Sequence, residues 1–206
     1  MTTTTMPTKD ATVAGLLGEY RAFGSLLRSL NDDEWRTRTR CDGWEARDVC
    51  GHVVGLASDS FNGRIGRFTA EEQAAQRRDA KPSDLADELD EALGVAQSLL
   101  TVLTDEQWDS PSGAPDLSIG DGLLTLWYDS WVHRDDVNAA IRRPVDRDAG
   151  LDAAVTYLRR HLAHDGWTAP AGVQLDSLDP HDFVLAATGR TDPAPLGLDE
   201  SVNIYR

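Results

Sequence analysis

The 206-residue chain carries 35 acidic against 20 basic residues, and the resulting formal charge of -15 would repel a phosphate backbone, which argues against nucleic acid as a partner. With 40% hydrophobic and 27% charged residues it reads as a globular protein, either one sizeable core or a domain of about 150 residues with a smaller appendage. No apolar run approaches the roughly 20 residues a membrane span needs, so no membrane partner is expected.

The start, MTTTTMPTKD, lacks the basic residues and apolar stretch of a signal peptide, and residues 1–8 read as a short disordered leader on a cytoplasmic protein. The only cysteines, Cys41 and Cys50, form no C-x-x-C motif, which fits a reducing compartment, and Cys50 reads as a small buried hydrophobe. Val13, Leu16, Leu17, Tyr20, Leu27 and Leu30 trace an apolar stripe that predicts a helix over about 9–30, ended by NDDEW. A second helix is expected from CDGWEARDVCGHVVGLASDSF, with Asp42 and Glu45 at capping-box spacing. His52 lies among the apolar residues Val49, Val53 and Leu56 of that helix.

The polar, Arg-rich stretch 62–81 reads as a mobile or locally helical connection. A third helix follows Pro82, with Leu85, Leu89, Ala92, Ala96, Leu99, Leu100 and Leu103 as its core face, and SPSGAPDLSIGDG then forms a loop. A fourth helix spans about 120–141 and stops before Pro144. These four make a bundle over 9–145, and bundle interiors are where ligands from different helices converge. Residues 146–206 read as a small C-terminal α/β appendage: a helix at about 147–164, a strand-like GVQLDS, and a short helix capped by Asp179 with Pro180 in its first turn. The fold class is therefore mainly α.

The stretch LWYDSWVHRDDV on the fourth helix places Leu126, Asp129, His133 and Val137 on one face at spacings of three and four. An acid and an imidazole on the core side have two explanations, a buried hydrogen-bonded pair or part of a metal site. Asp129 and His133 would lie about 6 Å apart along the axis, and His52 would add a third ligand. Two imidazoles and one carboxylate leave a divalent zinc one open position, the pattern of a catalytic rather than a structural site. Periodicity alone leaves both explanations standing. Trp127 and Trp131 read as bundle core, and His161 with His164 as surface residues at a helix end.

The segment EWRTRTRCDGWEARDVCGHVVG resembles the entry motif of the mycothiol-dependent maleylpyruvate isomerase family, a branch of the DinB-like four-helix metal-binding superfamily. Its Trp-x-x-Arg-Asp-x-x-x-His pattern is here Trp44, Arg47, Asp48 and His52. The family's second motif, acid, three residues, His, two residues, Asp, matches Asp129, His133 and Asp136, and DFVLAATGR is similar to its closing Gly-Arg segment. The resemblance implies a DinB-like bundle, a divalent metal of zinc type on His52, Asp129 and His133, and mycothiol as co-substrate. It implies Asp48 and Asp136 as residues orienting the imidazoles, and Arg190 as a catalytic residue holding a substrate carboxylate.

The expected function is thiol-dependent S-transfer to, or isomerisation of, a small-molecule electrophile by a monomer or homodimer. The alternatives are a non-catalytic metal- or small-molecule-binding bundle and a metal-independent biosynthetic enzyme on the same scaffold. Three departures from the family pattern stand out. Its usual Glu ligand is here the shorter Asp129, Arg134 puts a charge next to His133, and the appendage looks shorter than the family's second domain.

Overall fold

Helix α1 (Lys9–Ser29) begins where the Thr8 hydroxyl accepts from the Ala11 N–H and satisfies one of the donors a helix start leaves unpaired. The computed structural model describes residues 5–114 and 117–206, so residues 1–4 of the expected leader lie outside the described residues. The chain divides into two compact units, one of Thr8–Val145 and one of Asp146–Arg206 together with the described residues before Thr8.

NDDEW does more than end α1. Asn31 and Glu34 form a reciprocal capping box around the single turn α2 (Asp32–Trp35), which buries Trp35. Helix α3 (Ala46–Phe61) starts three residues later than the Asp42–Glu45 spacing suggests. Gly43 sits at φ 78°, the Trp44 N–H donates to the Cys41 carbonyl, and Arg38 bridges Glu45, so Asp42 is spent in a turn. The Arg-rich connection contains a true helix, α4 (Ala70–Arg77), capped by Thr69 and Glu72. Helix α5 (Pro82–Leu100) has Pro82 in its first turn, where the missing N–H costs nothing. Leu99, expected in the core, is 50% exposed, and Leu103 lies beyond the helix end. The turn α6 (Asp105–Trp108) and the long helix α7 (Ile119–Ala140) complete this unit.

Helices α1 and α3 each pack against both α5 and α7, so the four long helices form a square with α1 diagonal to α3. Leu16, Tyr20, Phe23 and Leu27 of α1 meet in the core with Val49 and Val53 of α3, Leu85 and Leu89 of α5, and Leu124 and Trp131 of α7. Each such side chain contributes about 1.5–3 kcal/mol on burial. Trp127 and Trp131 are both buried, as expected of bundle core. The contact of α7 with α1 depends on Gly15, because a Cβ there would fall 2.1 Å from the Trp127 ring. Helix α4 packs along α3.

In the second unit, α8 (Ala149–His164) packs on α9 (Pro180–Ala187), with Leu151, Leu158 and Leu162 buried along one helix and Phe183 and Val184 along the other. Asp179 caps α9 by accepting from the His181 and Asp182 N–H groups, and Arg147 pairs with its carboxylate. The strand expected in GVQLDS is not formed. Leu175–Ser177 is a 3-10 turn, and no strand is present among the described residues of this unit. Gly172 at φ 90° and the Val173 to Pro170 backbone bond curl the chain here, and no neighbouring strand offers its backbone groups a ladder. No helix among the described residues is long and apolar enough to cross a membrane.

Replacing Gly15 by Ala is expected to destabilise the protein by about 1–3 kcal/mol through overpacking against Trp127, despite the better helix propensity of Ala. Chemical denaturation of the two proteins measures the difference.

Candidate metal centre

The spacing of four on α7 sets the His133 Nε2 3.7 Å from Asp129 Oδ1. From α3, the next helix round the square, His52 brings its Nε2 to 3.5 Å from Asp129 Oδ2. The two imidazoles meet edge to face, with centroids 5.1 Å apart and planes at 88°. One atom from each residue lies within 4.8 Å of the others, so the three expected ligands come together in one group. A tetrahedral zinc with bonds of about 2.0–2.1 Å separates its ligands by about 3.3–3.4 Å, close to the two distances to the carboxylate. The residues therefore fit a divalent ion, with a fourth position left for another molecule.

The outer nitrogens show why the inner ones face each other. His133 Nδ1 lies 3.1 Å from Asp136 Oδ2, and a carboxylate oxygen accepts, so this nitrogen carries the proton and Nε2 keeps its lone pair for the site. Asp136 is fully buried and also takes the Arg40 Nε–H at 3.1 Å and the Cys41 S–H at 3.2 Å. On the other side His52 Nδ1 is 2.9 Å from the Gln73 Oε1 of α4.

Asp48, expected to orient His52, is instead committed to the start of α3. Its Oδ2 accepts from the Glu45 N–H and its Oδ1 pairs with Arg78. One turn before His52 on a helix, Asp48 points back toward the helix start, and the place beside Nδ1 belongs to Gln73. Arg190 lies in the C-terminal unit, where its Nη1 donates to the Thr188 carbonyl at 3.3 Å. His161 is half-buried and pairs with the exposed Asp165 at the end of α8, where His164 is exposed as expected.

Sequence reasoning missed Gln73, Arg40 and Cys41. Gln73 sits in a stretch read as a connection. Its only signal is the Thr69 to Glu72 capping box that announces α4. Arg40 and Cys41 belong to the tight loop between α2 and α3, where Arg40 also pairs with Asp135 at 2.6 Å. The same loop lays Trp44 over both ligand rings, 5.6 Å from His52 and stacked 6.4 Å from His133. The indole thus lies against both rings on one side of the site. Arg134 does not put its charge on the site. It is buried in a two-pronged pair with Glu19 of α1, its Nη2 3.1 Å from Glu19 Oε2.

Burial opposes the charged form of His52, but the facing Asp129 carboxylate and the Gln73 oxygen more than offset it, and the pKa of this imidazole is raised above the usual histidine value. Cys50 is buried with its thiol pushed far up by desolvation, so it is inert packing.

Residues 16–138, more than half of the chain, match the family described as the mycothiol maleylpyruvate isomerase N-terminal domain. The chain belongs to this family. Among solved structures it is similar to a histidine-to-alanine variant of the mycothiol-dependent maleylpyruvate isomerase, with a TM-score of 0.66 at 14% identity, covering 93% of each chain. A second structure of a mycothiol-dependent maleylpyruvate isomerase matches with a TM-score of 0.59 at 12% identity, over 82% of this chain and 77% of that one. A search of curated proteins gives no match. At these identities the likeness is one of fold, and it makes the bundle DinB-like.

Metal binding requires neutral imidazoles, and a proton held more tightly by His52 competes with the ion. Affinity for zinc is therefore expected to be full above the raised His52 pKa and to fall as pH drops through it, beginning above the ordinary value of about 6.5. Competition titrations with a chromophoric chelator between about pH 8 and pH 5.5 follow this loss.

Proposed function

We propose that this protein is a metal-dependent enzyme that activates a low-molecular-weight thiol, mycothiol by family membership, for reaction with a small electrophile. The observation that carries this reading is the convergence of His52 Nε2, His133 Nε2 and the Asp129 carboxylate, with His133 Nδ1 engaged by Asp136 and His52 Nδ1 by Gln73. A bound divalent ion with an open position supplies the positive charge that favours the thiolate form of the co-substrate. His52, Asp129 and His133 hold that ion, and zinc suits two nitrogens and one oxygen. Asp136, itself held by Arg40, keeps His133 in the tautomer that presents Nε2.

The nucleophile is then the sulfur of the co-substrate and not a group of the protein. Its attack on an electrophilic carbon breaks the π bond at that carbon, and protonation of the resulting carbanion by water gives an S-conjugate. Where that carbon belongs to a double bond conjugated to a carbonyl, rotation in the adduct and loss of the thiol give the isomer instead. Arg190 is the group we assign to the carboxylate of such a substrate. The matching compartment is the reducing cytoplasm, which keeps the thiol co-substrate reduced.

Purified full-length protein is expected to take up close to one zinc-like ion per chain, and His52→Ala or His133→Ala to lose it together with thiol-dependent turnover. Elemental analysis, followed by mass spectrometry of products from mycothiol with maleylpyruvate and model electrophiles, tests both halves. A folded wild type that holds no divalent metal under any loading condition would sink the metal reading. Turnover that survives chelation would favour the metal-independent enzyme, and metal without turnover the binding bundle. Arg190→Lys is expected to raise KM for a carboxylate-bearing electrophile while metal content stays unchanged, because the two-pronged guanidinium contact is lost and the ligands are not.

A further inference from the structure

Behind His52 lies a row of polar side chains that the metal site as such does not require. His52, Gln73 and Asp59 are all buried, the latter two at 3% exposure. The Gln73 amide lies between the other two, its Oε1 2.9 Å from His52 Nδ1 and its Nε2 2.9 Å from Asp59 Oδ2. The remaining Asp59 oxygen, Oδ1, accepts from Arg64 Nε at 2.9 Å. Three buried polar groups in line are costly unless every one is paired, and here each pairing dictates the next.

An Asp59 carboxylate held by Arg64 only accepts, so the Gln73 NH2 must face it. The Gln73 carbonyl oxygen must then face His52, and it too only accepts. His52 Nδ1 therefore carries a proton, and Nε2, which faces Asp129 Oδ2 at 3.5 Å, is the nitrogen left to ligate when an ion takes that place. The geometry points to Gln73 and Asp59 as positioning residues, an amide bridge that carries an orientation from a buried carboxylate to the imidazole of His52 and so selects the ligating tautomer.

The sequence prepares this contact from the α3 side. Gly51 and Gly55 flank His52 by one and three residues, and they let α4 lie close. A Cβ at Gly55 would come within 2.8 Å of the Gln73 Cβ, and one at Gly51 within 3.3 Å of the Ala74 backbone. Bulk at either glycine would displace Gln73 from His52. His133 is supported differently, by a carboxylate in direct contact, so the two imidazoles reach the same tautomer by separate routes.

The inference rests on the metal reading of the site, but its test has one arm that needs no metal. In metal-free full-length protein at about pH 8, 15N spectra of the His52 ring are expected to show Nδ1 protonated. Asp59→Asn frees the amide to reverse, so the Nε2-protonated form should appear and zinc affinity fall about 10-fold. Gln73→Glu alone places two buried carboxylates face to face and should weaken zinc by a similar factor.

The double variant, Asp59→Asn with Gln73→Glu, exchanges the two groups at nearly constant volume. The new amide at position 59 donates to the new carboxylate at position 73, whose other oxygen accepts from His52. Tautomer and affinity should then return to within about 3-fold of wild type, while a packing role for α4 gives no reason for rescue. A double variant no better than the single ones, or an Asp59→Asn protein whose His52 keeps the wild-type spectrum, overturns the bridge. Spectra that respond as expected in a chain that takes up no zinc support the bridge and overturn the metal reading instead.

Discussion

The hydrogen bonds at the two Nδ1 atoms are the constraint on which the rest of the site depends. An imidazole offers either nitrogen to an ion, and a buried pair left to itself would hydrogen-bond to Asp129 as readily as share a metal with it. Asp136 and Gln73 remove that freedom by accepting the proton on the far side of each ring. Two lone pairs and a carboxylate then face one point, and the partly desolvated Asp129 carboxylate has a natural compensation in a cation.

That constraint accounts for much of the architecture around it. The loop between α2 and α3 is more than a connection, because Arg40 and Cys41 converge on Asp136 while Trp44 lies against the rings. Helix α4, set in the otherwise polar crossover between α3 and α5, brings Gln73 onto α3. Glu19 and Arg134 tie α1 to α7 with a buried pair that keeps the arginine next to His133 neutralised and turned away from the candidate site. The shorter Asp129 still spans both imidazoles, 3.5 and 3.7 Å from their Nε2 atoms, so a missing methylene need not separate the ligands.

The four long helices were legible because each carries an apolar stripe of period near 3.6 and ends at a capping residue, proline or glycine. Short elements were not. The turns α2 and α6 and the helix α4 hold too few apolar residues to show a period, and only their capping boxes give them away. GVQLDS alternates as a strand does, yet alternation describes a face and not a partner, and a strand without a neighbour cannot satisfy its backbone. Leu99 lies off the buried face of α5, because Leu89, Ala92, Leu93, Ala96 and Leu100 take the core side and Leu100, next to it, is buried.

By itself the sequence determined that Asp129 and His133 share a face of one helix, since a spacing of four allows nothing else once the helix forms. It also carried the motif wording that places the chain in its family. Tertiary structure alone decided that His52 meets them, that Gln73 rather than Asp48 accepts its proton, and that Arg134 turns to Glu19. The physical reason is the range of the forces involved. Periodicity fixes which residues lie on a face within a few turns, whereas the partner of a buried polar group is chosen by whichever helix packs close enough to reach it.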